Sequence, residues 1–510
     1  MTSPLRCLVL DPADNVAIAL DDLPAGEGAG VGDLRTATPV PKGHKLALAE
    51  IAAGAPVVKL RSVIGVASRP IGAGEHVHTH NLHFVPSPAS HAIARPRPGS
   101  TARAGNPAPR LFQGYVREDG RVGTRNVLLV LATVNCSATV ARRIAEAFRR
   151  SVDLSAYPGV DGVVALTHQH GCSFRADGPG MDILRRTLGG YARHPNVAGT
   201  LVVGLGCEDN QVEAFLDAVG LAPSERLRTL VIQHVGGTAA TVAAGVEALK
   251  AMLPLAAQAR REPVPASRLV VGLQCGGSDG FSAITANPAL GAAADLVVEQ
   301  GGTVILAETP EIYGAEHLLL QRAVRPEVGE KLLDLIAWWE RSAAADKGSL
   351  DNNPSAGNKA GGLSTILEKS LGAVAKAGSS PLEDVVAYAE PIRTPGLVFM
   401  DSPGYDPVSA TGQVASGANL LCFTTGRGSC FGSAPAPSLK LATNTPLFRR
   451  MEGDMDLDCG GIADGLETPQ QAGERIFAAM LDVASGRRSK SEELGYGEEE
   501  FMPWAMGLTY

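Results

Sequence analysis

The chain has little cysteine for its 510 residues: eight, scattered rather than closely paired. That excludes a disulfide-stapled scaffold, and in a reducing compartment it leaves thiols able to bind metal. There is no long basic run, and the net charge is −8, which argues against nucleic acid or an anionic membrane as the main partner. No apolar stretch approaches the roughly 20 residues needed to span a bilayer, and the run Cys7-Leu-Val-Leu-Asp11 is too short for a signal peptide. A cytoplasmic protein is expected. No GxGxxG fingerprint follows a strand, and the glycine-rich stretch at Gly357–Gly362 lacks Walker spacing, so dinucleotide and P-loop sites are excluded.

What the chain does have is the composition of a folded protein, 45% hydrophobic and 19% charged, and the length for two or three domains. It also has a recurring local pattern. Four apolar runs each break into a polar turn carrying a cysteine: Val127–Ala132 into Thr133-Val-Asn-Cys136, Gly162–Leu166 into Thr167-His168-Gln-His170-Gly-Cys172, Thr200–Val203 into Gly204-Leu-Gly-Cys207-Glu208, and Leu269–Gln274 into Cys275-Gly-Gly-Ser278-Asp279-Gly. In open α/β sheets the carboxyl ends of strands line the ligand crevice, so the four thiols are expected to converge there. The alternative is that each is a small buried hydrophobe.

Residues 1 to 85 read as short strands punctuated by Gly and Pro, a small all-β module. Period-2 alternation in Gly74-Glu-His76-Val-His78-Thr-His80 puts three imidazoles on one strand face, either sharing a cation or simply solvated. Residues 86 to 110 are a Pro/Ala/Arg-rich linker, which would let the module dock away from its attachment point. From 111 to 260 strand and helix alternate, as in a doubly wound parallel sheet, and a second α/β domain runs from 266 to 510 after a boundary within 256–266. In the latter, Glu308 and Glu311 follow a strand, as bases, ligands or helix-capping acids. The loop Asn352–Gly362 opens a helix whose N–H groups, with Lys359 beside them, suit a carboxylate or phosphate. Arg427, between two glycines, suits bidentate carboxylate binding or is a surface turn.

Gly43-His44-Lys45, the His76-Val-His78 segment, Gly204-Leu-Gly-Cys207, Cys275-Gly-Gly-Ser278-Asp279, Thr285-Ala-Asn-Pro288, Gly357-Asn358-Lys359 and Thr425-Gly-Arg427-Gly resemble, in order, the altronate and galactarate dehydratase family, the first two its SAF-type β-clip module. The resemblance implies a β-clip followed by two α/β domains, and an iron-dependent lyase that removes water from a sugar acid to give a 2-keto-3-deoxy product. It makes His44, Lys45, His170, Glu308 and Lys359 the acid–base candidates, and Ser278, Asp279, Asn358, Lys359 and Arg427 the substrate contacts. Iron would be a single Fe(II) on mixed ligands or an iron–sulfur cluster, drawing on Cys136, Cys172, Cys207, Cys275, His76 and His78; thiolate ligation is preferred. A homo-oligomer is expected. The His-Val-His segment favours altronate or a related aldonate, while the absence of the usual Tyr before Gly171-Cys172 leaves the base and the sugar acid open. A sulfolactate sulfo-lyase and a non-catalytic sugar-acid sensor are the competing readings.

Overall fold

The computed structural model describes residues 6–85, 93 and 108–506. The linker, apart from Ile93 and residues 108–110, lies outside the described residues.

The N-terminal module is all-β. Cys7–Leu8, Val16–Ala19, Lys45–Ala47 and His76–Val77 form one antiparallel sheet, and Pro56–Lys59, Ser62–Ala67 and Leu82–His83 another. The expected strand through His80 stops at Val77. There the chain turns, because Asn81 accepts from the His78 N–H with its side-chain oxygen and donates its amide to the His76 carbonyl, both at 2.9 Å. His80 is therefore carried out into solvent.

The middle domain is a four-stranded parallel sheet in the order Gly162–Leu166, Val127–Ala132, Val197–Gly204, Leu227–Val231. Its helices include Ala138–Ser151 and Thr238–Ala256. The latter corrects the expectation from hydropathy: its 19 residues are long and apolar enough to cross a membrane. It is nevertheless a packing helix here, where a Cβ on Gly245 would fall 2.5 Å from Ile144 and Leu249, Met252 and Leu253 are buried.

The segment 256–266, between the two α/β domains, carries a strand of its own. Arg261–Pro265 pairs antiparallel with Leu111–Val116, which turns back into Val122–Gly123. It takes the edge of this ribbon, where Pro263 and Pro265 are tolerated because an edge strand can leave N–H positions unused.

The C-terminal domain is a seven-stranded parallel sheet in the order Leu382–Val386, Gly396–Met400, Thr303–Ala307, Val270–Cys275, Leu420–Thr425, Ser438–Ala442, Leu457–Asp458. The strands are buried on both faces, which is why they read as continuous apolar runs. The two α/β domains share one apolar cluster: Leu129, Leu131, Met181 and Leu188 of the former pack with Val398, Met400, Val414 and Leu421 of the latter.

A candidate active site where the β-module meets the C-terminal sheet

After Val270–Cys275 the chain first adds strands on one side of the sheet and then, from Leu420–Thr425, on the other. The boundary between these two neighbours is the switch point at which open α/β sheets bind ligands. Both turns leaving it are tied together: the Gly426 and Arg427 N–H groups donate to the Gly277 carbonyl at 3.1 and 2.9 Å. Gly276 is required there, because a Cβ would sit 2.5 Å from the Asp406 carboxylate.

A cavity of about 570 Å³ opens over these turns, with Cys275, Glu311, Asn353, Asn358, Lys369, Asp406 and Arg427 in its walls. Lys369 is ion-paired with Glu311 and donates to Asn353 Oδ1 at 2.8 Å. Lys376 Nζ lies 2.9 Å from Cys275 Sγ, which is 3.5 Å from Glu311 Oε2. The carboxyls differ in proton affinity. Burial and neighbouring Glu311 push Glu308 well above the usual range. Burial pushes Glu311 up too, but Lys369, a hydrogen bond from Glu308 and Lys376 outweigh it and bring the group down to about 2. Asp406, at the first turn of helix Asp406–Ala415, is pushed up to about 6 by burial and by Glu311. Arg427 is exposed at the rim and makes no side-chain hydrogen bond or ion pair among the described residues.

The β-module docks on the same domain of its own chain, on the loop that flanks this cavity. A Cβ on Gly280 would lie 1.9 Å from the Gly43 carbonyl, so the surfaces touch backbone to backbone. Helix Ile366–Ala375 holds both sides. Its Glu368 reaches out of the helix to Lys45 and Lys59, each at 2.8 Å, while the next residue, Lys369, turns to the cavity. Lys45 also donates to the Gly362 carbonyl at 2.6 Å.

Next to Lys45, His44 meets His76 and His78. Nδ1 of His44 is 3.0 Å from Nε2 of His76, and one nitrogen from each of the three rings lies within 4.8 Å of the others. Among the described residues this is the one set of three metal-ligating groups so closely placed. The set fits a divalent metal. His78 Nδ1 is buried without a hydrogen-bond partner, and burial together with the neighbouring imidazoles and Lys45 pushes His76 down to about 3 and His78 to about 4, keeping both neutral. His44 Nε2 is 3.3 Å from the Ala360 carbonyl; donating there leaves Nδ1 free to ligate.

The sequence-derived candidates divide accordingly. Arg427 and Asn358 line the cavity, but Asn358 is committed to the loop, donating to the Ser278 carbonyl at 3.0 Å and capping with Ser355. Ser278 and Asp279 are buried outside the walls of this cavity; Asp279 is held by Ser282, Thr443 and Asn444. Lys359 sits in the last turn of the short helix Ala356–Ala360 inside this loop, whose Asn358 N–H is capped by Ser355, and the longer helix the loop opens, Ile366–Ala375, has its Glu368 N–H capped by Thr365. Lys45 is sealed in its ion pair and Glu308 is buried behind Glu311. His170 belongs to the middle domain, with Cys136, Cys172 and Cys207.

The expected gathering of four thiols is corrected. Cys275 lies on a different sheet, buried and bound by Lys376, whereas Cys136, Cys172 and Cys207 are exposed on the middle domain. Sequence reasoning passed over Lys369, Lys376 and Asp406. The signal for the lysines was present, as charges at 368, 369 and 376 in and beside an otherwise apolar helix.

Carboxyls pushed to such different proton affinities in and beside one cavity suit acid–base chemistry. Comparison with known proteins narrows the class. Three family models match in order: the altronate/galactarate dehydratase SAF domain over residues 5–84, the second domain of D-galactarate dehydratase/altronate hydrolase over 114–257, and the C-terminal domain of D-galactarate/altronate dehydratase over 266–509. The altronate dehydratase of Escherichia coli (strain K12) is 39% identical over 97% of this chain and 98% of its own length. The galactarate dehydratase (L-threo-forming) of the same organism is also 39% identical, over 93% and 92%. The β subunit of the (2R)-sulfolactate sulfo-lyase of Chromohalobacter salexigens is 33% identical, over 76% and 96%. The chain belongs to the altronate/galactarate dehydratase family.

Proposed function

We propose that this enzyme is an iron-dependent dehydratase that removes water from a sugar acid, altronate or a related aldonate, to give the 2-keto-3-deoxy acid. The observation that carries the reading is the loop 358–362. On one side His44 bonds its Ala360 carbonyl; on the other, Arg427 Cδ lies 3.3 Å from where a Cβ on Gly361 would be. The histidine cluster and the unpaired guanidinium thus flank one short loop beside the cavity.

Arg427 holds the substrate carboxylate through a bidentate pair, for which its lack of a protein partner leaves it available. Asp406 removes the proton from the carbon next to that carboxylate. A proton acceptor near 6 is mostly ionised at neutral pH yet basic enough to work. The neighbouring hydroxyl leaves as water, taking a proton from the cavity's acidic side, where Glu308 is held protonated and relays through Glu311. The enol that remains tautomerises to the 2-keto acid. Lys369 and Lys376 keep the cavity cationic against the developing enolate. An Fe(II) on His44, His76 and His78 would supply Lewis acidity for a substrate oxygen.

The equal identity to the galactarate enzyme favours a second reading, an aldarate substrate. The test is an anaerobic assay of the iron-loaded protein on altronate, other aldonates, galactarate and sulfolactate, scoring 2-keto-3-deoxy product. Turnover of an aldonate supports the proposal and turnover of galactarate alone supports the second reading. Sulfite release, or no turnover of any acid by iron-loaded protein, sinks it.

A further inference from the structure

Cys136, Cys172 and Cys207 are exposed, unlike Cys7, Cys275, Cys422 and Cys459, which are buried. Each stands in the turn leaving the carboxyl end of a strand, and the three strands are adjacent, with Val127–Ala132 between Gly162–Leu166 and Val197–Gly204. The turns are laced together. The Asn135 N–H donates to the His170 carbonyl at 3.0 Å, the Asn210 N–H to the Gly171 carbonyl at 3.1 Å, and the Asn210 side chain to the Thr133 carbonyl at 3.1 Å. Thr133 Oγ1 donates to Glu208 at 3.1 Å, and Glu208 in turn accepts from the Leu205 N–H at 3.0 Å. Exposed thiols are oxidation-prone, and among the described residues the one side-chain hydrogen bond of the three is that which Cys207 Sγ accepts from Gln233 Nε2 at 3.4 Å. A rigid cradle presenting three of them is the arrangement of a thiolate-liganded metal centre.

We propose that these three turns bind an iron–sulfur cluster through Cys136, Cys172 and Cys207, in a site separate from the histidine cluster and independent of the function assigned above. The spacing argues against a single ion. Around one tetrahedral ion with metal–sulfur bonds of about 2.3 Å, the thiolates stand about 3.8 Å apart. The three sulfurs here do not all lie within 4.8 Å of one another, a closeness that among the described residues His44, His76 and His78 alone reach. A polynuclear core spreads its ligands further, with one sulfur on each of three irons. No fourth cysteine comes from this domain, so one iron of a cubane core keeps an open position.

The full-length chain, purified anaerobically, is incubated with equal amounts of ferrous and ferric iron and with sulfide, desalted, and analysed for iron, acid-labile sulfide and visible absorption. About four irons and four sulfides per chain are expected, the content of a cubane core, besides any iron on the histidines. Cys136→Ser, Cys172→Ser and Cys207→Ser should each lose the sulfide, while Cys275→Ser, Cys430→Ser and His76→Ala keep it. On the unmutated protein, loading should reduce alkylation of Cys136, Cys172 and Cys207 by about tenfold and leave exposed Cys430 reactive. Absence of labile sulfide, a single sulfide-free ion on these thiols, or sulfide retained by the three serine variants overturns the proposal. Because His76→Ala is expected to keep the sulfide while losing dehydratase activity, failure here and failure of the proposed function are separable.

Discussion

Replacing Glu368 with Gln should release the β-module from the C-terminal domain. In the native protein one carboxylate serves two ammonium groups: Oε2 is 2.8 Å from Lys45 Nζ and Oε1 is 2.8 Å from Lys59 Nζ, with the three side chains 0 to 2% exposed. It also accepts the Ser364 N–H at 2.9 Å. The amide has almost the same shape but no charge, so two ammonium groups are left buried without a counter-ion. Breaking a buried pair in this way costs about 3–5 kcal/mol. That corresponds to roughly a hundred-fold to several-thousand-fold in the docking equilibrium.

The pH dependence has a defined sign. Burial pushes Glu368 up, but Lys45 and Lys59 outweigh it and hold the group well below the usual carboxylate range. Its contribution is therefore complete above the ordinary carboxyl pKa and is lost on acidification. Burial pushes Lys45 down to about 8 even with Glu368 beside it; without that carboxylate the lysine falls further and sheds its proton below pH 8, so the variant's defect relative to the native protein should shrink as pH rises towards about 8. Hydrogen exchange measured by mass spectrometry over residues 6–85 reads docking directly, and iron affinity reads it through His44. The triple variant Lys45→Met/Lys59→Met/Glu368→Met, which buries no charge, should recover most of the protection. Native-like exchange in strand Lys45–Ala47 of Glu368→Gln would refute the reasoning.

Three further outcomes are expected. Arg427→Lys keeps the charge but loses the planar fork, so KM for the sugar acid should rise and kcat/KM fall by about 10–100-fold in steady-state assays; an unchanged KM would place carboxylate binding elsewhere. In the unmutated enzyme kcat/KM should climb with pH through about 6 and then level, because Asp406 must be ionised to take the proton. Asp406→Asn should cut kcat by about 10²–10⁴, and an acid limb that survives in the residual activity would assign the limb to another group. His76→Ala and His78→Ala should each weaken Fe(II) binding by at least about 10-fold, seen by titration under anaerobic conditions, while leaving the β-module folded. Full iron affinity in both would remove the histidine cluster from consideration.

The order of the elements was readable without coordinates, because apolar runs of strand length and amphipathic helices report local burial. The strand Val270–Cys275, the helix Ala138–Ser151 and the all-β character of residues 6–85 all follow from patterns within a few residues. The turns rich in Gly, Cys and polar residues at the strand ends were legible in the same way. What tertiary structure alone decided is which turns meet. Cys275 shares its local pattern with the other three thiols, yet strand order puts it on another sheet beside Lys376, 101 residues away. His44 finds His76 because two short strands pair, and Lys45 finds Glu368 across 323 residues because the module folds back onto its own chain. Side-chain periodicity carries information over a turn or two of backbone. Proximity between distant segments is set by sheet topology and by the packing of whole domains, and so is the charge environment that pushes Asp406 and Glu308 up and Glu311 down.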